Sequence, residues 1–424
     1  MLHKSRLTLL AFGAATSLTL ALAACGSSGG SAPKAAESGG SAPASTPSGT
    51  PIKIGLAIAL TGFGSAANKP VPDVVTAWTK WVDAHGGIGG HPVQVVVKDT
   101  TGTPAAAQSV TKELVEQEHV VAMLMQDGAT ESTVGSYLTQ MNIPVIGSLG
   151  FDYTLWDQKP NYFNTNIAGD GSPRAIVMAA EAAGGTTIGT AICAEVAGCV
   201  HSADVIQAFA TPRNMKYGGT AKVAVGAPSY TAQCLNFINS HTDAIALEVT
   251  TDVAQKLIQD CDQQGYKGVY LTSPGTGVIA LVSAVKGSKI GGTLSAFPWW
   301  IDAAPVKDFR SALAQYAPKV DIASNYVTAM WTSLELFRKA VSASPDDLTP
   351  AKVTDAYYSL KNETLGGLLP QPLTFTTGQP HAPISCFWSY TYTVGDAGNP
   401  KVHQSGTSGN GASGDLSSTC LPKT

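Results

Sequence analysis

Ile52–Leu60 read IKIGLAIAL, Val74–Val82 VVTAWTKWV, His85–Gly90 HGGIGG and Pro92–Asp99 PVQVVVKD. The first run is apolar and β-branched, which predicts a buried strand. In the second, Val74, Val75, Trp78, Trp81 and Val82 recur at helical spacing, so it predicts an amphipathic helix. The glycines then end that helix, and a second strand follows. A dinucleotide loop must leave a strand and open a helix. This one leaves a helix and opens a strand, so it reads as a helix stop with glycines at positive φ. His85 and His91 flank it as turn residues, not ligands.

Outward from this unit the alternation continues. AAAQSVTKELVEQ predicts a helix, VVAMLM a strand, TESTVGSYLTQM a helix and IPVIGS a strand. Such alternation implies a parallel sheet with helices on both faces. After FNTNIAGDGSP a second series begins, with strands expected at TTIGTAIC, TAKVAV, DAIALEV, GVYLTS and GGTLSAF. The helices between them are expected at RAIVMAAEAA, SADVIQAFA, TAQCLNFINS, DVAQKLIQDC and GVIALVSAV. Three helices follow, at VKDFRSALAQY, SNYVTAMWTSLELFRKAV and TPAKVTDAYYSL, and then two antiparallel strands, PLTFTT and ISCFWSYTYTV. The expected fold class is α/β, with two doubly wound parallel-sheet lobes.

Upstream lies a segment of a different kind. Lys4 and Arg6 precede an uncharged run rich in Leu and Ala up to Ala24, which has the build of a secretory signal. A membrane-spanning helix is the competing reading, since about 18 apolar residues approach the spanning length. Thr, Ser and Gly dilute the run, however, and it ends in LAAC. Leu22-Ala23-Ala24-Cys25 resembles the lipobox of bacterial lipoproteins, in which the cysteine is lipidated and becomes the N-terminus. From Gly26 to Pro51 every residue except Lys34 and Glu37 is Gly, Ser, Ala, Pro or Thr, which reads as a flexible tether. The expected division is 1–24 signal peptide and 25–51 lipidated cysteine and tether.

The 424 residues carry 26 basic and 30 acidic side chains. No basic stripe suggests nucleic acid. Six cysteines follow Cys25, and an even number in an exported chain suggests disulfides. Six allow fifteen pairings. Cys193 and Cys199 bracket a short loop. Cys234 and Cys261 fall on helices flanking one strand, which right-handed crossovers place side by side. Cys420 could pin the polar tail to the strand bearing Cys386. These three pairs are the ones expected. The chain has no C-x₂-C pair or histidine cluster, so a metal site is not expected, nor is a cofactor.

In open α/β sheets, ligands bind beyond the carboxyl ends of the strands. That rule selects Thr61 and Phe63, Asp127 to Thr130 and Gly150 to Tyr153 in the first lobe. In the second it selects Glu195, Glu248 and Thr250, and Pro274 to Thr276. GATES opens a helix, whose free N–H groups and dipole suit a carboxylate, with Thr130 as a plain N-cap the simpler reading. Phe63, Phe151 and Trp299 could wall an apolar group or belong to the core. Trp299 and Trp300 stand at the expected hinge edge.

The sequence resembles the type I solute-binding proteins of ABC importers, in the branch that binds the branched-chain amino acids Leu, Ile and Val. IGLAIALTGFGS, the stretch from WVDAHGGIGG to HVVAML, MNIPVIGS and YFNTNIAGDGS carry the resemblance, which runs from about Ile52 to Val394 and is strongest before Ser172. It implies two lobes joined by three crossover strands: 52–168 plus 301–366, and 169–300 plus 367–395, with 396–424 a tail pinned to the second. It implies closure around a small solute, and as partners the permease and ATPase subunits of an importer. A monomer is expected. Ala129 and Thr130 resemble the family positions that hold a ligand carboxylate, with Ser132 one turn further in, and Gly150, Phe151, Asp152, Gly275 and Thr276 fall on the family's binding loops.

The chain also departs from that pattern. Amino-acid binders of the family carry a tyrosine and an acid where Thr250 and Pro274 stand here. Asp152, Glu195 or Glu248 could take over the acid's role. An amino acid ranks first as solute, and an amide, an aromatic acid or a short-chain acid stays open. No G-x-S-x-G motif sits at an expected strand-to-helix elbow and no H-E-x-x-H motif occurs, so an enzyme is not expected. A dispersed hydrolytic triad and a lipoprotein sensor uncoupled from transport are the alternatives.

Overall fold

The computed structural model describes residues 46–62, 64–147, 149–167, 169–194, 197–272, 281, 285, 288–392 and 418–422. The signal segment, Cys25 and most of the tether lie outside these residues. So do Phe63, Glu195, Pro274, Gly275, Thr276 and most of the polar tail.

One sheet is built by the unit from which the sequence reading starts. Strands β1 (Ile52–Ile58), β2 (Val93–Asp99) and β3 (Ala122–Gln126) pair in parallel in the order β2-β1-β3. Helix α1 (Val71–Ala84) connects β1 to β2, and α2 (Pro104–Lys112) leads toward β3. Successive side chains of a strand point to opposite faces. Ile54, Leu56 and Ile58 of β1 and Leu124 of β3 accordingly join the core beneath α1. Ala57, Met123 and Met125 join a separate core with Ala107 of α2. Val134 and Leu138 of α3 (Glu131–Gln140) complete that second core. Both faces of the sheet are thus covered by helices.

The second sheet repeats the plan. It runs β10-β9-β8-β7-β6-β4-β5. Helix α4 (Gly171–Ala182) precedes β4 (Thr187–Cys193), followed by α5 (Ala197–Ala210) and β5 (Lys216–Val223). Then come α6 (Thr231–Asn239), β6 (Ala244–Glu248), α7 (Thr251–Gln263), β7 (Val269–Thr272) and β8 (Lys289–Leu294). These strands are parallel. Strand β9 (Cys386–Tyr392) pairs antiparallel to β8, and the short β10 (Thr419–Cys420) antiparallel to β9. Alternation again sorts the faces: Ala244 and Ala246 pack with α4 and α5, and Ile245 and Leu247 with α6 and α7.

After β8 the chain returns to the first sheet as α8 (Ala304–Tyr316), α9 (Asn325–Val341) and α10 (Pro350–Ser359). Helices α8 and α9 pack on α1, and Trp78 Nε1 donates to Glu335 Oε1 at 2.8 Å. The three cysteine pairs expected from sequence are joined as Cys193–Cys199, Cys234–Cys261 and Cys386–Cys420. Among the described residues no helix is long and apolar enough to cross a membrane.

Two expected strands are not formed. IPVIGS contributes single bridges from Val145 to Met123 and Tyr162. The chain then turns at Gly147, φ 121°, where a Cβ would lie 2.2 Å from Ser333 Oγ of α9. PLTFTT makes one bridge, Leu373 to Glu363. Its Phe375 ring packs instead against Phe163 and Tyr357 at 5.2 and 5.7 Å. The GVIALVSAV helix falls almost wholly outside the described residues.

Candidate functional site

The carboxyl ends of β1, β2 and β3 converge through side chains that belong to neighbouring loops. Asp99, the last residue of β2, accepts from Leu60 N at 2.9 Å, Thr101 N at 2.8 Å and Thr61 Oγ1 at 2.7 Å. Partial burial works to raise its carboxyl, but these bonds outweigh it and hold the group below the ordinary carboxylate range. Asn68, in the helical turn Ser65–Asn68, donates Nδ2 to Ala59 O at 2.9 Å and Gln126 O at 3.0 Å. It thereby locks β1 to β3 beyond the end of their ladder.

Asp127 is the centre of this cluster and 3% exposed. Its Oδ2 accepts from Thr130 Oγ1 at 2.6 Å and from Thr100 Oγ1, and its Oδ1 from Ala129 N at 3.1 Å. A carboxylate at the start of α3 suits the helix dipole. Thr130 occupies the N-cap position but makes no side-chain cap bond. The Ala129 and Thr130 groups expected to hold a solute carboxylate are therefore engaged by the chain's own Asp127. Ser132 is exposed.

Behind Asp127 stands Glu131, which is 2% exposed. Its Oε2 accepts from Phe151 N and Asp152 N, each at 3.0 Å, and from Trp156 Nε1 at 3.1 Å. Burial pushes the carboxyl up to about 7, against the opposing effect of these three N–H bonds and with the charge of Asp152 adding to the rise. Glu131 thus sets the path of the loop after Gly150, itself at φ 55°. Phe151 is 42% exposed, and its ring lies over Gly128, where a Cβ would come within 2.8 Å of Phe151 Cγ.

On the second sheet Glu248 ends β6 and Thr250 caps α7 without a side-chain cap bond. Burial pushes the Glu248 carboxyl up to about 7, against the lowering effect of a bond from the Ser202 hydroxyl on α5. Glu248 keeps some exposed surface, yet its Oε1, like Thr250 Oγ1, is buried and finds no partner within the protein. The two sheets approach one another here: Cα atoms of the Ser65–Asn68 turn come within 8 Å of those of α7.

The structure therefore places Thr61, Asp127, Ala129, Thr130, Gly150, Phe151 and Asp152 in the loops that follow strands of the first sheet, and Glu248 and Thr250 at the end of β6 in the second. Trp299 is 4% exposed within the core, edge-on to Trp300 at 4.5 Å, with its carbonyl bound by Arg310 Nη1 at 2.9 Å. It packs as a core residue beside the passage between the sheets. Asn68, Asp99, Gln126 and Glu131 were not selected from sequence. GATES does contain Glu131, but an acid in a helix's first turn reads as a dipole-favoured surface residue. A cavity of about 300 Å³ lies elsewhere, between Trp81, Trp331, Glu335 and Arg338. Its Arg338 and Glu335 are paired with each other at 2.6 Å, and its Lys339 with Glu363 at 3.7 Å.

Comparison with known proteins bears on this geometry. The sequence profile of the periplasmic binding protein family matches residues 51–399. No curated protein matches the sequence. Among solved structures, a branched chain amino acid ABC transporter protein from Thermus thermophilus with bound valine superposes with a TM-score of 0.71. It is 16% identical, covering 83% of this chain and 97% of its own. The fatty acid ABC transporter substrate-binding protein from Thermomonospora curvata gives 0.67 at 18% identity, over 88% and 95% of the two chains. A solute binding protein from Rhodopseudomonas palustris BisB5 in complex with 3,4-dihydroxy benzoic acid gives 0.63 at 14%, over 81% and 93%. At such identity these likenesses speak for the fold.

Proposed function

We propose, since the chain belongs to the periplasmic binding protein family, that it captures a small polar solute between two lobes and presents it to an ABC importer. No bond is made or broken. Lobe 1 comprises residues 52–168 and 301–366, and lobe 2 residues 169–300 and 367–395. The observation that carries this reading is the approach of the Ser65–Asn68 turn, which follows β1 of the first sheet, to α7, which follows β6 of the second. A solute favours the closed form only by the contacts it makes there and not in the open form. Cys25, as a lipidated N-terminus, would hold the protein outside the cell membrane, with the glycine- and serine-rich tether giving it reach. The protein acts as a monomer, and the permease and ATPase subunits of the importer are its partners.

Thermal melting of the purified protein against amino acids, amides, organic cations and organic acids tests the reading. A binder at 100 times its dissociation constant adds about 2.7 kcal/mol of stability. Mass spectrometry should recover that solute unaltered, and conversion to a product overturns the reading. Cys25→Ser should move the protein from the membrane to the soluble fraction. Retention in the membrane would rule out the lipid anchor.

A further inference from the structure

We infer that the solute is a small organic cation without a carboxylate group, held as an N–H donor by acceptors from both sheets. This rests on the solute-binding reading and narrows its substrate class. Asp127 has already taken the Ala129 and Thr130 donors expected to hold a solute carboxylate. The Ala129 N–H and the Thr100 and Thr130 hydroxyls all point to its carboxylate. An incoming carboxylate would meet a fixed negative charge there in place of donors.

The unpaired polar atoms on the elements around these strand ends are mainly acceptors. Glu131 Oε1, Glu248 Oε1 and Asn68 Oδ1 are buried and find no partner within the protein, and Thr250 Oγ1 can accept as well as donate. Gln126 Nε2 is a donor in the same condition. Buried carboxylates ordinarily sit against a cation. Among the described residues, no lysine or arginine forms an ion pair with Asp99, Asp127, Glu131, Asp152 or Glu248. A bound ammonium or guanidinium would supply both the missing charge and the missing donors. No three acids, histidines or cysteines converge closely enough to hold a metal ion among the described residues. An organic cation fits that arrangement better than an inorganic one.

The test uses pairs that share a skeleton and differ by one carboxylate: agmatine with arginine, and 1,4-diaminobutane with ornithine. The decarboxylated member should raise the melting temperature by about 5 °C at 100 times its dissociation constant. Its acid partner should bind at least about 100-fold more weakly, a ratio within the range of charge-pair effects. Asp127→Asn should admit the acid partner, bringing the two within about tenfold. Glu248→Gln should weaken the cation at least about tenfold, which keeps the inference testable if Asp127→Asn fails to fold. Acids that bind as well as cations to the unaltered protein overturn the solute class and leave the binding reading intact. Silence from these pairs and from the amino acid, amide and acid panel overturns both.

Discussion

Trp156 donates its indole N–H to Glu131 Oε2 at 3.1 Å, a bond between the first turn of α3 and the helical turn Tyr153–Trp156 that follows the Phe151 loop. Three N–H groups converge on that one oxygen, while Oε1 has no partner within the protein. The burial that makes Glu131 a strut also makes its charge expensive.

A pH dependence follows. The folded carboxyl sits at about 7 against an ordinary value of 4.5. Between those values the folded protein holds a proton that the unfolded chain releases, so stability falls as pH rises through that window. Its full contribution is on the order of 3 kcal/mol. Glu131→Gln keeps the acceptor and removes the titration. Urea midpoints at pH 5 and pH 8 should differ less in the variant than in the parent protein. Equal differences would assign the pH dependence to other groups.

Gly128 and Phe151 make a second prediction. Because a Cβ on Gly128 would come within 2.8 Å of the Phe151 ring, Gly128→Ala must displace that ring. Phe151 is partly exposed, so the displacement should change stability by less than about 1 kcal/mol. Solute affinity should fall about tenfold if the ring lines the site. Calorimetric titration alongside melting separates the two effects. A loss of stability without loss of affinity would remove Phe151 from the binding wall.

Much of this architecture is legible in the chain. IKIGLAIAL and DAIALEV are short apolar runs between helical periods, and both form central strands with two buried faces. The glycine run after α1 has the wrong order for a phosphate loop, and it forms a helix stop, with Gly86 and Gly87 at positive φ. The hydrogen bonding at the site was not legible. Asp127 meets Thr100, which follows another strand and lies 27 residues away, and a sequence window cannot pair them. Glu131 is buried by a loop about twenty residues downstream, which inverts the surface role that its place in the helix suggests. IPVIGS has strand composition, but the turn at Gly147 is dictated by packing on α9.

That turn gives a third prediction. Gly147 sits at φ 121°, and a Cβ there would meet both Oγ and Cβ of Ser333. Gly147→Ala should therefore cost about 2–4 kcal/mol, since backbone strain and a fixed neighbour act together. Ser333→Gly should restore part of the loss by clearing the space. Denaturation of both single variants and the double variant gives the coupling. Additive losses would mean that strain alone sets the cost.

The disulfides differ in what they should control. Cys234–Cys261 ties α6 to α7 on one face of the second sheet, and Cys193–Cys199 ties the end of β4 to the start of α5. Neither reaches the first sheet, so neither restrains closure. Chain-entropy arguments give about 4 kcal/mol for the longer loop and about 2 kcal/mol for the shorter. The shorter loop nevertheless leads into the helix that carries Ser202, whose hydroxyl binds Glu248. Replacing Cys193 and Cys199 by serine should therefore weaken solute binding out of proportion to its modest effect on stability. Replacing Cys234 and Cys261 should do the reverse, lowering the melting temperature while leaving affinity within about threefold, because Cys261 lies toward the opposite end of α7 from Thr250. Paired melting and titration of the two double variants decide the matter. Equal affinity losses in both would mean that the bridges act on the second sheet as a whole, and that Ser202 does not orient Glu248.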